Sequence, residues 1–441
     1  MPLASAMEVA RGPSSCRLRH DIKFLVSLST SQQNEDEKKR IANWHRDYIY
    51  APLRSALEPE VFAARRLLAE QVRYEMTFPV TPVAREQAEP RPAHVMIRGQ
   101  YDKPGERVAA ATPAFLPPIK TSGERVTRLD FARWLVAPEN PLTGRVTVNR
   151  FWQQLFGAGL VRTPGDFGNQ GDPPTHPALL DWLADEFQRT GWDVKRLVRL
   201  LVTSRTYRQD SRADAELLER DPENKLLARG SRHRLDAEVL RDQALAVSGL
   251  LEPAMGGPPV HPYQPPNIWE PIASTLSNTR YYKQDRGAAL YRRSLYTFWK
   301  RTAPPPSMST FDAPTREAFC VVRGRSNTPL QALALMNDVQ HVEAARALAE
   351  RLLRVTLPEA DRLELAFRTV SARLPDSTER GLLARALATH RAHFERNREE
   401  AGQFIRNGES KPDPALPVGE LAAWTVVANL LLNLDEALTR N

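Results

Sequence analysis

The chain has 441 residues, of which 41% are hydrophobic and 26% charged, and its net charge is +8. This is the composition of a globular protein, and the length is typical of two to four domains or of one large domain with an appendage. The basic residues are interleaved with acidic ones along the whole chain and no nucleic-acid-binding module is recognisable, which argues against nucleic acid as the main partner. The longest apolar run, from Ala422 to Leu432, is shorter than the roughly 18 residues of a membrane span and predicts a buried helix.

Proline and cysteine usage narrows the fold class further. The 36 prolines outnumber the 21 glycines, which predicts rigid, irregular connections between helices and a mainly α fold. The two cysteines, Cys16 and Cys320, form neither a disulfide framework nor a zinc site. Neither begins a C-x-x-C-H haem attachment motif, so we expect no cofactor in this chain. We expect Cys320, between Phe319 and Val321, to be a small core residue.

The region comprising residues 1–80 begins without clear patterning and continues with helical segments. Residues 1–33 are expected to be disordered at the start. The segment from Asn34 to Met76 predicts two or three helices, with breaks or helix starts at Pro52 and Pro59. No signal peptide is recognisable, so the chain as written would stay in the cytoplasm. The opening residues do not resemble a domain start, and we expect the chain to be the tail of a longer protein.

Residues 81–126 form a proline-rich linker with a small β element. The β-prone pieces HVMIRG (His94 to Gly99) and RVAA (Arg107 to Ala110) flank the turn sequence KPGE. This arrangement predicts a short hairpin.

Helical patterning begins at Thr127 and defines the third region, residues 127–440. Thr127 and Asp130 resemble a capping box, and Gly157 ends the second helix. Thr175 is predicted to cap the helix that contains Pro177, and Asp193 to cap the next one.

Further along, the pattern predicts a helix from Leu235 to Leu251 and then a long irregular segment over residues 252–285. Helices return at Tyr291 and from Pro329 to Val355. Two or three more fill residues 358–399, and a last helix runs from Gly419 to Thr439. The expected architecture is an irregular multi-helix domain with long Pro/Gly-rich loops.

The densest stretch is RTPGDFGNQGDPPTHPALLDWLADEF, from Arg162 to Phe187. Asp166 and His176 are candidates for an acid and a base, and Arg162 for binding an anion near free backbone N–H groups. Asn149, in the preceding helix, is a further ligand-binding candidate. The alternative is that Asp166 and His176 satisfy loop backbone groups while prolines and glycines shape the loop.

Two other segments concentrate charged residues. The segment from Arg232 to Asp242 places Asp236, Glu238 and Arg241 on one helix, where they either line a polar cleft or form a salt-bridged network. The segment from Phe311 to Asp338 supplies the ligand-binding candidates Arg316, Arg323 and Asn327 beside a helix start at Thr328. The alternative for this segment is a clamp between domains.

The irregular segment is rich in aromatic residues, which could stack on sugar rings or pack as core; they are Tyr263, Trp269, Tyr281 and Tyr282. Histidines and carboxylates show no metal-ligand spacing, so no metal site is predicted.

Seven sequence blocks together resemble one family, in its order and with similar spacing. They begin with VTVNRFWQQLFGAGLVRTPGDFGNQGDPPTHPALLDWLADEF and GWDVKRLVRLLVTSRTYRQDS, continue with DPENKLLAR and RLDAEVLRDQAL, and end with FDAPTREAFC, NTPLQALALMND and NLDEALTR. The chain resembles the planctomycete-specific domain of unknown function found at the C-terminal end of planctomycete cytochrome-C-like proteins. The resemblance runs from about Arg128 to Arg440, and residues 34–80 resemble the tail of the preceding cytochrome-associated helical domain.

The resemblance implies a helical fold, an exported or periplasmic context, and haem-containing or other domains of a full-length protein as partners. It implies no activity. We therefore expect an accessory or binding module whose arginine-lined polar cleft takes an anionic or glycan ligand or a protein partner. One alternative is an enzyme acting on polysaccharide or a related anionic substrate, with Asp166 and His176 as acid and base. The other is a structural interaction domain.

Overall fold

The computed structural model describes residues 33–48, 59–78, 81–121 and 123–440. Residues 1–32, where disorder was expected, lie outside these ranges, and so does Cys16 among them. The predicted break at Pro52 also lies outside them. Within them the chain forms sixteen α-helices and two two-stranded sheets. This confirms the predicted mainly α class with a short hairpin. No helix in the described ranges is both long enough and apolar enough to cross a bilayer.

The chain divides into two compact units, Met1–Ala93 and His94–Asn441. In the first unit, α1 spans Glu35–Tyr48 and α2 spans Pro59–Glu75. The Asn34 side chain accepts a bond from the Glu37 N–H, and the Glu37 carboxylate accepts one from the Asn34 N–H, so a reciprocal cap starts α1. Pro59 is the first residue of α2, in agreement with the predicted helix start.

The hairpin consists of β1 (Ala93–Met96) and β2 (Pro104–Val108). The second strand begins three residues earlier than predicted, so KPGE is not the turn. A short 3-10 turn at Ile97–Gly99 reverses the chain instead, with Arg98 and Gly99 at positive φ of 50° and 73°. Because the chain has already turned by residue 103, Pro104 is the first residue of β2.

The second unit opens with five helices, which are α3 (Arg128–Leu135), α4 (Thr143–Phe156), α5 (Pro177–Arg189), α6 (Val194–Thr203) and α7 (Ala215–Arg220). The capping box at Thr127 and the cap at Asp193 form as predicted. The predicted N-cap of α5 is wrong by one residue. His176 takes that position, because the Thr175 N–H already bonds the Leu160 carbonyl and the Thr175 hydroxyl bonds the His176 ring.

Three of these helices share one core, in which Trp152, Phe156, Leu183, Phe187 and Leu201 are buried. The aromatic rings of Trp152 and Phe156 stack with centroids 4.0 Å apart near the C-terminal end of α4. Gly157 follows at a φ of 80°, which ends the helix.

The middle of the unit contains β3 (His233–Arg234), α8 (Ala237–Ser248) and α9 (Pro306–Thr310). Between α8 and α9 the chain is irregular, with 3-10 turns at Glu270–Ile272, Gly287–Tyr291 and Ser294–Tyr296. The predicted return to helix at Tyr291 is therefore limited to 3-10 turns. Trp269 is 2% exposed and its ring packs against His261, Tyr282 and Phe298, so it is part of a core in this structure.

The C-terminal part is a helical bundle made of α10 (Pro329–Asn337), α11 (Val339–Leu353), α12 (Glu359–Ser371), α13 (Ser377–Arg396), α14 (Arg398–Phe404), α15 (Val418–Leu432) and α16 (Asp435–Leu438). Helix α15 lies in the middle of its core, and Trp424 and Leu431 are fully buried.

Two helices of this bundle are shorter than predicted. The predicted helix from Pro329 to Val355 is divided at Asp338, whose side chain caps α11. The last predicted helix, from Gly419 to Thr439, is divided into α15, which ends at Leu432, and the short α16. Its final residue, Thr439, belongs to β4 (Thr439–Arg440), which pairs antiparallel with β3. This pairing joins the end of the chain to residues about two hundred positions earlier.

Candidate functional site

A cavity of about 770 Å³ opens beside the C-terminal end of α4. Its inner side is formed by Trp152, Phe156 and the glycine-rich turn after them, and its outer side by residues 211–213, 222–225, 227 and 229–233. The volume is within the range of cavities that hold small-molecule ligands. We refer to it as the basic cavity.

The outer wall is the loop DPENKLLAR, residues 221–229, which is held together by its own polar groups. The Asp221 carboxylate accepts the N–H groups of Lys225 and Leu226 at 2.7 and 2.8 Å. The Arg229 guanidinium donates to the carbonyls of Asp221 and Pro222, each at 2.9 Å. The loop therefore keeps its shape without a regular element, even though Asn224 and Leu227 adopt positive φ.

Positive side chains outnumber negative ones around the basic cavity. The cations in its wall are Arg162, Arg212, Lys225, Arg229 and Arg232, and Glu223 is the one carboxylate. Glu223 lies 2.9 Å from the Lys225 ammonium and 3.7 Å from the Arg162 guanidinium, and the bond from Lys225 lowers its pKa. Arg212 and Arg232 pair with Asp210 and Asp435, which lie outside the wall.

His233 closes the inner end of the basic cavity. A Cβ added at Gly157 would lie 2.8 Å from the His233 Nδ1, so the imidazole packs directly on the glycine backbone. The Nδ1 atom is buried and has no hydrogen-bond partner among the described residues. Burial, together with the positive charges of Arg325 and Arg440, lowers the pKa of His233 to about 4. The ring is therefore neutral at pH 7.

Protonation of His233 is expected to destabilise the fold. Its pKa is about 4 in the folded protein and about 6.5 when unfolded, so the unfolded chain binds the extra proton between these values. The free energy of unfolding should therefore fall as the pH decreases from about 6.5 to about 4, by at most about 3 kcal/mol. Screening reduces this value because the ring is only partly buried.

Chemical denaturation of the wild type and of His233→Leu over this pH range measures the effect. The unfolding free energy of the wild type should fall relative to that of His233→Leu as the pH decreases, since all other titrating groups are common to both chains. A difference that is independent of pH would contradict the prediction.

The structure distributes the candidate residues of the dense stretch over different environments. Arg162 lines the basic cavity, whereas Asp166 and His176 are not in its wall. Asp166 accepts the Gly168 N–H at 2.7 Å, and the His176 ring contacts the adjacent Thr175 hydroxyl at 3.1 Å. Both contacts are local loop contacts, and no hydrogen bond joins these two described side chains.

Asn149 is fully buried, and its amide is occupied by the chain itself. The Asn149 side chain donates to the Val161 carbonyl at 3.0 Å and accepts the Val161 N–H at 2.9 Å. These two bonds hold the chain after Gly157 against α4. In this geometry Asn149 shapes the wall of the basic cavity without reaching its interior.

The two charged segments come together beside the basic cavity, since Arg232 and His233 line it and Arg325 donates to the carbonyl of its lining residue Gly157 at 2.9 Å. Arg323 forms a bidentate pair with Glu238, at 2.7 and 3.2 Å, and lies 3.6 Å from Asp236. Arg316 lies over the Trp299 ring, 4.2 Å from its centroid. Asn327 is exposed, one residue before Thr328, which caps α10 through a capping box with Gln331.

Cys320 corrects one expectation from the sequence. It was expected in the core because its neighbours are apolar, but its side chain is exposed and donates to the Val322 carbonyl at 3.0 Å. The neighbours themselves explain the error, since Phe319 is 89% exposed. An apolar run without a helical or strand period does not indicate which side chains are buried.

Sequence patterns did not single out His233 or the cations of residues 221–229 as site residues. DPENKLLAR was noticed only as a block that resembles a family. The proximity of Gly157 and His233 arises from the fold, because no local spacing relates them. Among the described residues, no group of three or more histidine, cysteine or carboxylate side chains is arranged to hold a metal ion.

Residues 127–387 match the family PSD1, described as a protein of unknown function (DUF1553). The match covers more than half of the 441 residues, and the chain belongs to this family. The family is known from planctomycete cytochrome-c-like proteins. No curated protein and no solved structure matches the chain.

The family match starts at residue 127, where the helical patterning begins. The boundary between the two compact units lies earlier in the sequence, between Ala93 and His94. The predicted regions 1–80, 81–126 and 127–440 stay predictions.

Proposed function

We propose that this domain is an accessory binding module that takes an anionic ligand in the basic cavity. The observation that carries the proposal is the composition of the wall, where five cations and a single carboxylate line a concave space of about 770 Å³. Two of the cations, Arg212 and Arg232, pair with carboxylates outside the wall, which leaves Arg162, Lys225 and Arg229 with Glu223 as the one carboxylate among the lining residues. Opposite charge attracts a ligand to such a cleft and positions it there.

The uncharged groups of the wall favour a hydroxyl-rich anion, such as an acidic sugar unit. Thr175, Ser211 and Ser231 supply hydroxyl groups, whereas the Asn224 amide is used by the Arg229 backbone. Such hydroxyl groups donate and accept hydrogen bonds in the pattern that sugar hydroxyls require. His233 adds a neutral imidazole, which can bond a hydroxyl without repelling a cation beside it.

Binding is favoured over catalysis because the proposed acid and base lie outside this wall. Asp166 and His176 make local contacts, and neither lines the basic cavity with Arg162. An acid–base pair must reach the same substrate atoms to act together. The enzyme acting on polysaccharide therefore has less support than the binding module.

Neutralising a cation of the wall is expected to lower the affinity for an anion, and neutralising the Glu223 carboxylate is expected to raise it. Arg162→Gln and Lys225→Gln each remove a cation and should weaken binding of a sulfated disaccharide at least tenfold, the effect of losing one hydrogen bond to a charged group. Glu223→Gln removes the competing carboxylate and should strengthen it. Titration calorimetry of each variant at about 50 mM salt measures these changes, since screening weakens them at higher salt.

The controls separate this site from general charge effects. Lys195→Gln removes an exposed lysine of α6 that does not line the basic cavity, and its affinity should equal that of the wild type. D-glucuronate should bind in competition with the sulfated disaccharide, and maltose, which is neutral, should bind more weakly than either. The proposal would be overturned if neither anion bound to the wild type or to Glu223→Gln. It would also be overturned if Arg162→Gln, Lys225→Gln and the control Lys195→Gln lost affinity equally.

A further inference from the structure

A second cavity, of about 530 Å³, lies at the start of the second unit. It is enclosed by residues 117–121, by α3, and by the turn over residues 137–140. It shares no lining residue with the basic cavity. We refer to it as the α3 cavity.

The α3 cavity has an apolar wall that is held in place by one hydrogen bond. The Trp134 indole N–H donates to the Pro117 carbonyl at 2.7 Å, which fixes the proline segment against α3. The Trp134 ring also stacks against the Phe131 ring, with centroids 5.8 Å apart. Because the indole N–H is satisfied, Trp134 contributes an apolar surface, as do Pro118 and Ala137.

Two cations in the wall of the α3 cavity have no counterion. Lys120 and Arg133 are exposed, and neither forms a hydrogen bond or an ion pair with any residue that the structure describes. Glu139 is likewise unpaired, whereas the Asp130 carboxylate is used by the Thr127 N–H and hydroxyl, at 2.9 and 2.7 Å. The charged groups still available are thus two positive and one negative.

We propose that the α3 cavity binds an amphipathic anion, with an apolar body against Trp134, Pro118 and Ala137 and an acidic head group at Lys120 and Arg133. Burial of apolar surface supplies most of the affinity of such a ligand. The unpaired cations select the head group, since a carboxylate gains charge-assisted hydrogen bonds that an alcohol does not. The proposal is independent of the function proposed for the basic cavity.

Titration of the whole chain with decanoate and with decanol tests both halves of the proposal. Decanoate should bind the wild type at least tenfold more tightly than decanol does. The double variant Lys120→Gln/Arg133→Gln should lose this preference and leave decanol binding unchanged. Lys195→Gln, which removes an exposed lysine elsewhere, should behave as the wild type.

Filling the α3 cavity gives a second, charge-independent measurement. Ala137→Trp places a large side chain in the cavity and should abolish binding of both compounds. Ala137→Leu fills less space and should weaken both, and its thermal unfolding reports whether the fold is kept. The proposal would be overturned by unchanged decanoate binding in the filled variants. It would also be overturned if the wild type bound decanoate and decanol with equal affinity, or bound neither.

Discussion

Replacing Arg241 with methionine is expected to lower the free energy of unfolding by about 3–5 kcal/mol. Arg241 is 5% exposed, and its guanidinium donates to the Leu290 and Arg292 carbonyls at 2.8 and 2.7 Å and to the Gln340 side chain at 2.7 Å. These bonds attach the irregular chain before α9 to α8 and α11. Methionine has a similar volume but no donor, so three buried acceptors would lose their partner at about 1–3 kcal/mol each, with partial relaxation.

Denaturant unfolding of the wild type, Arg241→Met and Arg241→Lys measures this loss. Lysine keeps the charge but lacks the planar fork, so it should recover only a minor part of the stability. Arg199→Met removes an exposed arginine of α6 and should stay within about 0.5 kcal/mol of the wild type. Hydrogen exchange should rise first over residues 286–297. A loss below about 1 kcal/mol with unchanged exchange would contradict this role.

Helix ends were predicted well where one local interaction determines them. The capping box at Thr127, the Asp193 cap and the glycine end at Gly157 all lie within a few residues of the groups that they bond. Such bonds depend on spacing along the chain, which a sequence contains directly. The cap of α5 was misplaced because the Thr175 backbone bonds Leu160, a partner outside the local pattern.

Contacts between distant residues could not be predicted in the same way. The strand pair of His233–Arg234 with Thr439–Arg440 joins the residues just before one predicted helix to the end of another, and neither segment was predicted to be a strand. It brings Arg440 close to His233, and Arg325 comes near through its bond to the Gly157 carbonyl at 2.9 Å. Burial, followed by these two positive charges, lowers the pKa of the ring. Likewise, the sequence shows that Arg323 and Glu238 are charged, but only the fold shows that they neutralise one another.

The charge of an arginine is therefore a poor predictor of a binding site on its own. Of the three predicted ligand-binding arginines, Arg323 pairs with carboxylates, Arg316 lies on an aromatic ring, and Arg162 faces the basic cavity. A guanidinium is available to a ligand only to the extent that the fold leaves it incompletely paired and accessible. Arg162 fits this condition best: it donates to the Glu223 carbonyl at 2.6 Å, but the Glu223 carboxylate is 3.7 Å away and is shared with Lys225.

Glu343→Gln is expected to lower the free energy of unfolding by about 3 kcal/mol or more. Glu343 is completely buried, and its carboxylate accepts the hydroxyls of Tyr263 and Tyr291, each at 2.9 Å. It also accepts the Ser410 N–H and hydroxyl, at 2.7 and 2.6 Å, which attaches the loop before α15 to α11. Glutamine cannot replace the charge that faces the buried Arg346, and removing one partner from a buried charged network costs about 3–5 kcal/mol.

Gly408→Ala should break the same network from the loop side. Gly408 has a φ of 89°, and an added Cβ would lie 2.2 Å from the Glu343 Cδ, so the loop or the carboxylate must move. Gly402 is the matched control, since nothing lies within 4 Å of its added Cβ, and alanine there should stabilise α14 by about 0.5–1 kcal/mol. The double variant Glu343→Gln/Gly408→Ala should lose much less stability than the two single losses added together, because both disrupt one contact. Additive losses would mean that the loop and the carboxylate stabilise the fold separately, contrary to the shared network.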